Sequence, residues 1–263
     1  EHLWKVKVSQ NKSKSLTGVW NTEKLISELE SGNKVYLPVT QPLDINSSKP
    51  LPFDPYMLGI LLGDGGFSSG QRVSLTTADQ EIVDYFNDKL SVHGCKLTYL
   101  NRYGYLITNQ VQTVVKDFSN GRILHSNKVV RILKSLSLMG SNCYTKHVPE
   151  DYLNSSIEER FELLRGLMDS DGYKGKGNVA EFCTSSKKLS EDVKYLVSTL
   201  GGLTRITERY PTFTYKGEKK VGKLNYRVFI KFPNLTDIFK LERKKLNCKD
   251  VGEIYDKIVS IKW

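Results

Sequence analysis

The chain has 263 residues, a net charge of +10 and a pI near 9.2. That length allows one large core or two small ones, and the positive excess favours polyanionic partners, nucleic acid first. No segment has the length and apolarity of a membrane-spanning helix, no signal-peptide pattern opens the sequence, and Cys95, Cys143, Cys183 and Cys248 lack the close spacing of a zinc site. An intracellular protein without a membrane partner is expected, its thiols reduced and mostly filling core space.

Residues 1–8 alternate in character and predict a strand. A short helix follows over 22–30, capped by Asn21 or Thr22 and ended by Gly32, and Val35-Tyr36-Leu37-Pro38 reads as another strand. Residues 40–52 hold Pro42, Pro50 and Pro52 among Asn and Ser, which marks a linker and a first boundary. A helix then begins at Asp54, with Pro55 in its first turn, where the missing N–H costs nothing. Its run from Tyr56 to Gly63 is nearly all apolar, so it must be buried on most sides, and it ends at Asp64-Gly65-Gly66. A second helix of this kind starts at Ser156, which makes a capping box with Glu159, and ends at Asp169-Ser170-Asp171-Gly172.

These helices belong to an internal repeat. Asp64 and Asp171 lie 107 positions apart, and so do Thr77 and Thr184. Each Thr precedes a helix-like stretch (80–90 and 188–200), and each helix precedes two strand-like stretches: 95–102 and 103–108 in the first half, 203–210 and 224–232 in the second. Two similar halves in one chain predict a pseudo-two-fold molecule. Small residues at Gly59 and Gly63, and at Gly166 and Ser170, would let the two helices touch backbone to backbone. The acids at their C-terminal ends would then sit side by side, an unfavourable pairing unless cations neutralise it. Hard oxygen ligands suit Mg²⁺, and metals shared between two acids are one arrangement for in-line phosphodiester cleavage.

The segments Met57-Leu58-Gly59-Ile60-Leu61-Leu62-Gly63-Asp64-Gly65 and Leu164-Arg165-Gly166-Leu167-Met168-Asp169-Ser170-Asp171-Gly172 both resemble the LAGLIDADG motif of homing endonucleases. The second is the better match; the first has Leu62 where the motif has its sixth-position acid. The resemblance implies an α+β fold with two αββαββα-type halves and DNA-binding antiparallel sheets. It also implies double-strand cleavage of a long, nearly asymmetric DNA target by a monomer, leaving a short 3′ overhang. Asp64 and Asp171 become the catalytic carboxylates, grouped with Gly63 and Ser170 as metal ligands for Mg²⁺, for which Mn²⁺ or Ca²⁺ could substitute. Lys146, in Lys146-His147-Val148-Pro149, matches a catalytic lysine that precedes the second motif helix in intein-type members. Its counterpart is expected at Lys244 or Lys245, with Lys245 preferred. A non-catalytic DNA-binding protein, or an RNA maturase on the same fold, is the alternative.

Alternation along the strands nominates a DNA-reading face. In the first half it comprises Arg72, Ser74, Thr76, Lys96, Thr98 and Arg102. In the second it comprises Arg205, Thr207, Arg209, Asn225, Arg227 and Lys231, opposite Tyr226, Val228, Ile230 and Phe232. Lys216, Lys219, Lys220 and Lys223, in or beside a hairpin tip, are candidate phosphate contacts. The halves are placed at 49–150 and 151–247. The flanks, 1–48 and 248–263, resemble pieces of an intein splicing domain more loosely. Glu1 replaces a nucleophilic first residue and Ile261-Lys262-Trp263 replaces a terminal His-Asn, so the expectation is a chain that does not splice, whether an intein fragment or a free-standing enzyme derived from one. The two flanks could still pair as strands and add DNA contacts.

Overall fold

The computed structural model describes residues 2–11, 14–45, 49–67, 71–111, 114–116, 123–125, 127–175, 177–245, 248 and 252–261. The N-terminal flank holds β1 (Leu3–Asn11), β2 (Lys14–Asn21), α1 (Thr22–Glu30) and β3 (Lys34–Pro38). The first half follows with α2 (Pro55–Asp64), β4 (Gly65–Gly66), β5 (Ser74–Thr76), α3 (Gln80–Ser91), β6 (Cys95–Asn101), β7 (Gly104–Asn109), a small ribbon of β8 (Val114–Lys116) and β9 (Ile123–His125), and α4 (Lys128–Ser135). After α5 (Glu150–Leu153), the second half comprises α6 (Ile157–Asp171), β10 (Gly172–Lys174), β11 (Ala180–Thr184), α7 (Lys187–Thr199), β12 (Leu203–Arg209), the hairpin β13 (Thr212–Tyr215) and β14 (Glu218–Val221), and β15 (Asn225–Lys231). A 3₁₀ turn (Leu235–Ile238), α8 (Glu242–Lys245) and β16 (Tyr255–Lys257) close the described chain.

The repeat is structural as well as textual. The first sheet runs β4-β5-β7-β6 and the second β10-β11-β15-β12, both antiparallel. Even the register repeats: Gly65 faces Leu75, and Gly172 faces Phe182, each residue 107 positions on. Each sheet packs its inner face on its own helix. Val73, Leu75 and Ile107 lie beneath Ile82, Phe86 and Leu90 of α3; Phe182, Val228 and Ile230 lie beneath Leu189, Val193 and Leu196 of α7, all buried in one continuous core.

The motif helices α2 and α6 join the halves. Asp54 caps α2 by accepting from the Met57 N–H (2.9 Å). The capping box of α6 is formed, with the Ser156 N–H donating to Glu159 at 3.0 Å. Glycine is what permits their contact. A Cβ on Gly59 would lie 2.4 Å from the Leu163 carbonyl, and one on Gly166 would lie 2.2 Å from that of Tyr56. Those separations are well inside van der Waals contact, so the two backbones touch.

The flanks form a separate four-stranded sheet in the order β16-β3-β1-β2, with β16 paired antiparallel to β3. It has its own small core of Val6, Val8, Leu25 and Val35. Arg160, fully buried on α6, ties the segment after β3 to the second half: its guanidinium donates to the carbonyls of Ser155, Thr199 and Leu43.

Candidate active site

Asp64 and Asp171 are the last residues of α2 and α6, so the glycine contact that joins the helices also brings the two acids together. A Cβ on Gly63 would lie 2.1 Å from Ser170 Oγ and 3.2 Å from the Asp171 carboxylate. The carboxylate of one half thus reaches the residue that precedes the acid of the other. Burial, reinforced by the Asp171 charge, pushes Asp64 up to about 6 against the partial relief of Lys244 and Lys146. Asp171 opens onto solvent but is crowded by protein atoms, and that crowding raises it against the same two lysines.

The lysines obey the repeat. Lys146 Nζ donates to the carbonyls of Leu61 (3.2 Å), Gly63 (2.9 Å) and Gly65 (2.7 Å). Lys244 Nζ donates to those of Met168 (2.9 Å), Asp169 (2.5 Å), Ser170 (3.1 Å) and Gly172 (2.8 Å). Leu61, Gly63 and Gly65 become Met168, Ser170 and Gly172 when displaced by 107 positions, so each ammonium closes the C-terminal end of one motif helix at equivalent carbonyls. A cation there also meets the negative end of the helix dipole. Burial lowers Lys146 from the usual lysine value and lowers Lys244 to about 8.

The preference for Lys245 is therefore corrected. Its ammonium pairs with Glu242 (2.7 Å) on the far side of α8, while Lys244 turns inward. The choice is made by Asp169, which sequence reading left without a role. Asp169 is buried, and its Oδ2 accepts from the Tyr56 hydroxyl (2.9 Å) and from the backbone N–H groups of Lys240 and Leu241 (3.0 Å each). Those bonds fix the approach to α8. Arg243 adds a bidentate bond to Asp79 of the first half (2.6 Å to each oxygen). Lys146 is held by other means: its carbonyl accepts from Ser186 Oγ (2.6 Å), and the Val148 N–H donates to the buried Asp192 (2.9 Å), both from the second half. Asp192 lies at helical spacing from Leu189 and Leu196, on the core side of α7, and a carboxylate there needs partners.

Beside Asp171 lies a cavity of about 220 Å³ whose lining includes Gly63, Lys146, Cys143, Cys183 and Asn225. The expectation that the cysteines mostly fill core space is corrected here: Cys95 is buried, Cys143 is exposed, and Cys183 and Cys248 are half-buried. All four are free thiols. The donor set suits a hard divalent cation that keeps much of its water and takes one or two carboxylates plus phosphate oxygens. Among the described residues no third His, Cys, Asp or Glu completes a cluster with the two acids. The carbonyls of Gly63 and Ser170, grouped with the acids as metal ligands, already accept the two lysine ammoniums.

The open faces of the two sheets adjoin this centre. On the second sheet Thr207 pairs with Arg227 and Arg209 with Asn225, so these share one face with Arg205. Lys231 pairs with Leu203 at the end of the same strand pair. Asn225 Oδ1 and Arg227 Nε are shielded from solvent without a hydrogen-bond partner, an unfavourable state that a polar ligand would relieve. On the first sheet Ser74 and Thr98 both pair with Leu106, and Lys96 pairs with Thr108, so their side chains share the face opposite Leu75. Thr76 lies on that face and is exposed, as is Arg72 just before β5. Arg102 departs from expectation. The strand ends at Asn101, and Arg102 occupies the hairpin turn with φ 43°. Lys216 occupies the β13–β14 turn with φ 51°, Lys219 and Lys220 lie on β14, and Lys223 follows with its ammonium 5.2 Å from the Tyr144 ring.

Residues 158–233, from α6 through β15, match the sequence family described as LAGLIDADG-like domain. The first half repeats the strand order of this LAGLIDADG-like half around its own motif helix, as α+β architecture with antiparallel sheets. Among curated proteins, the chain is 26% identical over 193 residues to a replicative DNA helicase DnaB of Mycobacterium intracellulare, covering 73% of this chain and 26% of that protein. A DnaB of Synechocystis is 27% identical over 183 residues, covering 66% of this chain and 20% of that protein. An uncharacterised protein of Methanocaldococcus jannaschii is 26% identical over 217 residues, covering 74% and 23%. The chain thus spans about a quarter or less of the length of these relatives. Among solved structures, the homing endonuclease I-DmoI in complex with DNA and Mn is similar at a TM-score of 0.42 and 16% identity, covering 74% of this chain and 97% of that one. A mesophilic variant of I-DmoI gives 0.40 at 16% identity, covering 69% and 89%. No helix among the described residues is long and apolar enough to cross a membrane.

Proposed function

We propose that this chain is a site-specific DNA endonuclease of the homing type, which hydrolyses both strands of a long duplex target as a monomer. One observation carries the reading: duplicated halves bring Asp64 and Asp171 together, and each half closes its motif helix with a lysine at equivalent carbonyls. A protein that only binds nucleic acid has no need to hold two raised carboxylates at the point where its halves meet.

Asp64 and Asp171 would hold the divalent cations, Mg²⁺ first, with Mn²⁺ or Ca²⁺ able to occupy the same oxygen ligands. Bound there, the cation supplies an activated water and neutralises charge on the leaving oxygen. The chain's own part is electrostatic. Lys146 and Lys244 are both pinned by helix carbonyls, and Lys244, lowered to about 8, keeps most of its charge near neutral pH, so positive charge is preorganised where the phosphate becomes more negative. Arg205, Arg209, Asn225, Arg227 and Lys231 face one half of the target, and Arg72, Ser74, Thr76, Lys96 and Thr98 the other. We read residues 49–150 and 151–247 as the two halves, and 1–48 with 248–263 as the remnant of a splicing domain. The β3–β16 pairing, which closes the two flanks into one sheet, supports that reading.

The test is a supercoiled plasmid carrying the uninterrupted host-gene junction. Linear product is expected with Mg²⁺ and none with EDTA. Asp64→Asn and Asp171→Asn should each abolish linearisation while a gel-shift complex persists. If either variant linearises the plasmid at the wild-type rate, the site assignment is wrong.

A further inference from the structure

A further grip on the segment that carries Lys244 comes from the side chain of Lys240. Its ammonium stands 4.6 Å from the centre of the Tyr56 ring and 4.4 Å from that of Tyr85, and donates to Glu162 at 2.8 Å. The two rings meet edge to face with centroids 4.9 Å apart and form two walls of a cage. Neither ring is free to turn away: the Tyr56 hydroxyl donates to Asp169 (2.9 Å) and the Tyr85 hydroxyl to Asp54 (3.0 Å). The carboxylate is held as well. Its other oxygen accepts from Arg165 (2.7 Å), whose Nε donates to the Asp237 carbonyl (2.7 Å). A half-exposed ion pair alone fixes little, but an ammonium set against two ring faces and a carboxylate has one favoured position.

The walls of the cage belong to different halves. Tyr56 lies in the first turn of α2 and Tyr85 on α3, both in the first half, whereas Glu162 lies on α6 of the second. Arg243, between the cage and Lys244, makes its bidentate bond to Asp79, again in the first half. The segment is thus clasped to the first half at two points, while the Lys244 ammonium closes the motif helix of the second. The repeat supplies no second cage for the Lys146 side: 107 positions on from Tyr56 and Tyr85 stand Leu163 and Asp192. We infer that Lys240 is a positioning residue for Lys244. Its caged ammonium sets the segment so that Lys244 reaches the carbonyls of α6 only while the two halves are docked, and cleavage of one strand depends on it while cleavage of the other does not. The strand effect rests on the endonuclease reading; the placement of the Lys244 ammonium does not.

Two readouts on the full chain separate these claims. The first is acylation of lysines by a trace of acetic anhydride in EDTA, located by fragmentation mass spectrometry. Lys240→Met should raise the acylation rate of Lys244 several-fold and leave that of Lys146 unmoved, because only the Lys244 ammonium loses its carbonyl partners. The second is single-turnover cleavage of DNA carrying the uninterrupted host-gene junction, well below the Tm of every variant, with plasmid to show nicked circles and end-labelled duplex to name the strand. Lys240→Met should slow one strand by about 10-fold, within the roughly 10²-fold that a misplacement of about 1 Å costs, and it should be the strand that Lys244→Met slows more. Tyr85→Leu should reproduce both effects and Tyr85→Phe neither. Lys240→Met combined with Tyr85→Leu should be no worse than the worse single variant, since both remove the same interaction. If Lys244 stays as protected in Lys240→Met as in the wild type, if acylation rises equally at both lysines, or if both strands slow equally, the positioning role is refuted and the endonuclease reading stands. If Lys240→Met exposes Lys244 but the wild type cuts neither strand, the positioning role stands and the endonuclease reading fails. Should Lys240→Met not fold, Tyr85→Leu carries the same two readouts with the same outcomes.

Discussion

Asp64→Asn should stabilise the metal-free protein while destroying its activity. In the folded chain Asp64 is raised from the ordinary carboxylate value of 3.8 to about 6, first by burial and then by Asp171. A raised acid contributes stability that is present below the unfolded value and lost as pH rises through the folded value. Above pH 6, then, the folded state bears a penalty for ionising Asp64 that the unfolded state escapes. The shift corresponds to about 3 kcal/mol at 1.36 kcal/mol per unit, and solvent at this half-buried group reduces the expected gain of the Asn variant to about 1–3 kcal/mol. For a chain of this size that is roughly 3–8 °C in Tm. Differential scanning calorimetry in EDTA at pH 7.5 should show the increase, and most of it should vanish by pH 4, where Asp64 is protonated in the folded state and only about half ionised in the unfolded one. Saturating Mg²⁺ should raise the Tm of the wild type more than that of the variant. An Asn variant no more stable than wild type at pH 7.5, or an equal advantage at pH 4, would refute the argument that the two acids are held together at a cost.

Three further outcomes follow from the geometry. Lys244→Met should slow cleavage by about 10²–10³-fold, the usual effect of losing one preorganised donor, whereas Lys245→Met should change it little; single-turnover rates on plasmid decide between them. Asp169→Asn weakens the anchor of the Lys244 segment and leaves the Ser186 and Asp192 contacts around Lys146 in place, so nicked circles should accumulate as one strand lags. Equal slowing of both strands, read from end-labelled DNA, would contradict a positioning role confined to one half. Gly166→Ala drives a methyl into the Tyr56 carbonyl, so the helices must separate; urea denaturation should register a loss of at least about 2 kcal/mol and no gain in any condition.

Much of this architecture is legible in the sequence because local rules and the repeat agree. Asp54-Pro55 and the Ser156/Glu159 box place the starts of the motif helices, and apolar residues all around α2 require burial. The common offset of Asp64, Thr77, Asp171 and Thr184 identifies two halves whose acids converge. Alternation in β15 separates Val228 and Ile230 from Arg227 and Phe229. Turn residues are less legible: Arg102 shares a parity with Lys96 and Thr98, but the chain reverses one residue earlier, and parity loses its meaning in a turn. The cysteines mislead in the same way, since residue type alone does not say that Cys143 stands on an exposed turn by the acids.

What the sequence determined by itself was the duplication and the placing of Asp64 and Asp171 at matching helix ends, since both rest on spacing or on a local motif; Lys146 came only with the family resemblance. What only the tertiary structure decided was which lysine completes the pair. Neighbours on a helix point about 100° apart, and α8 is too short for its pattern to show which side faces inward. Two backbone N–H groups bound to Asp169, a residue some seventy positions away, settle the matter by fixing the rotation of α8. The flank sheet shows the same, because Lys7, Tyr36 and Lys257 share a face only once β1, β3 and β16 have paired.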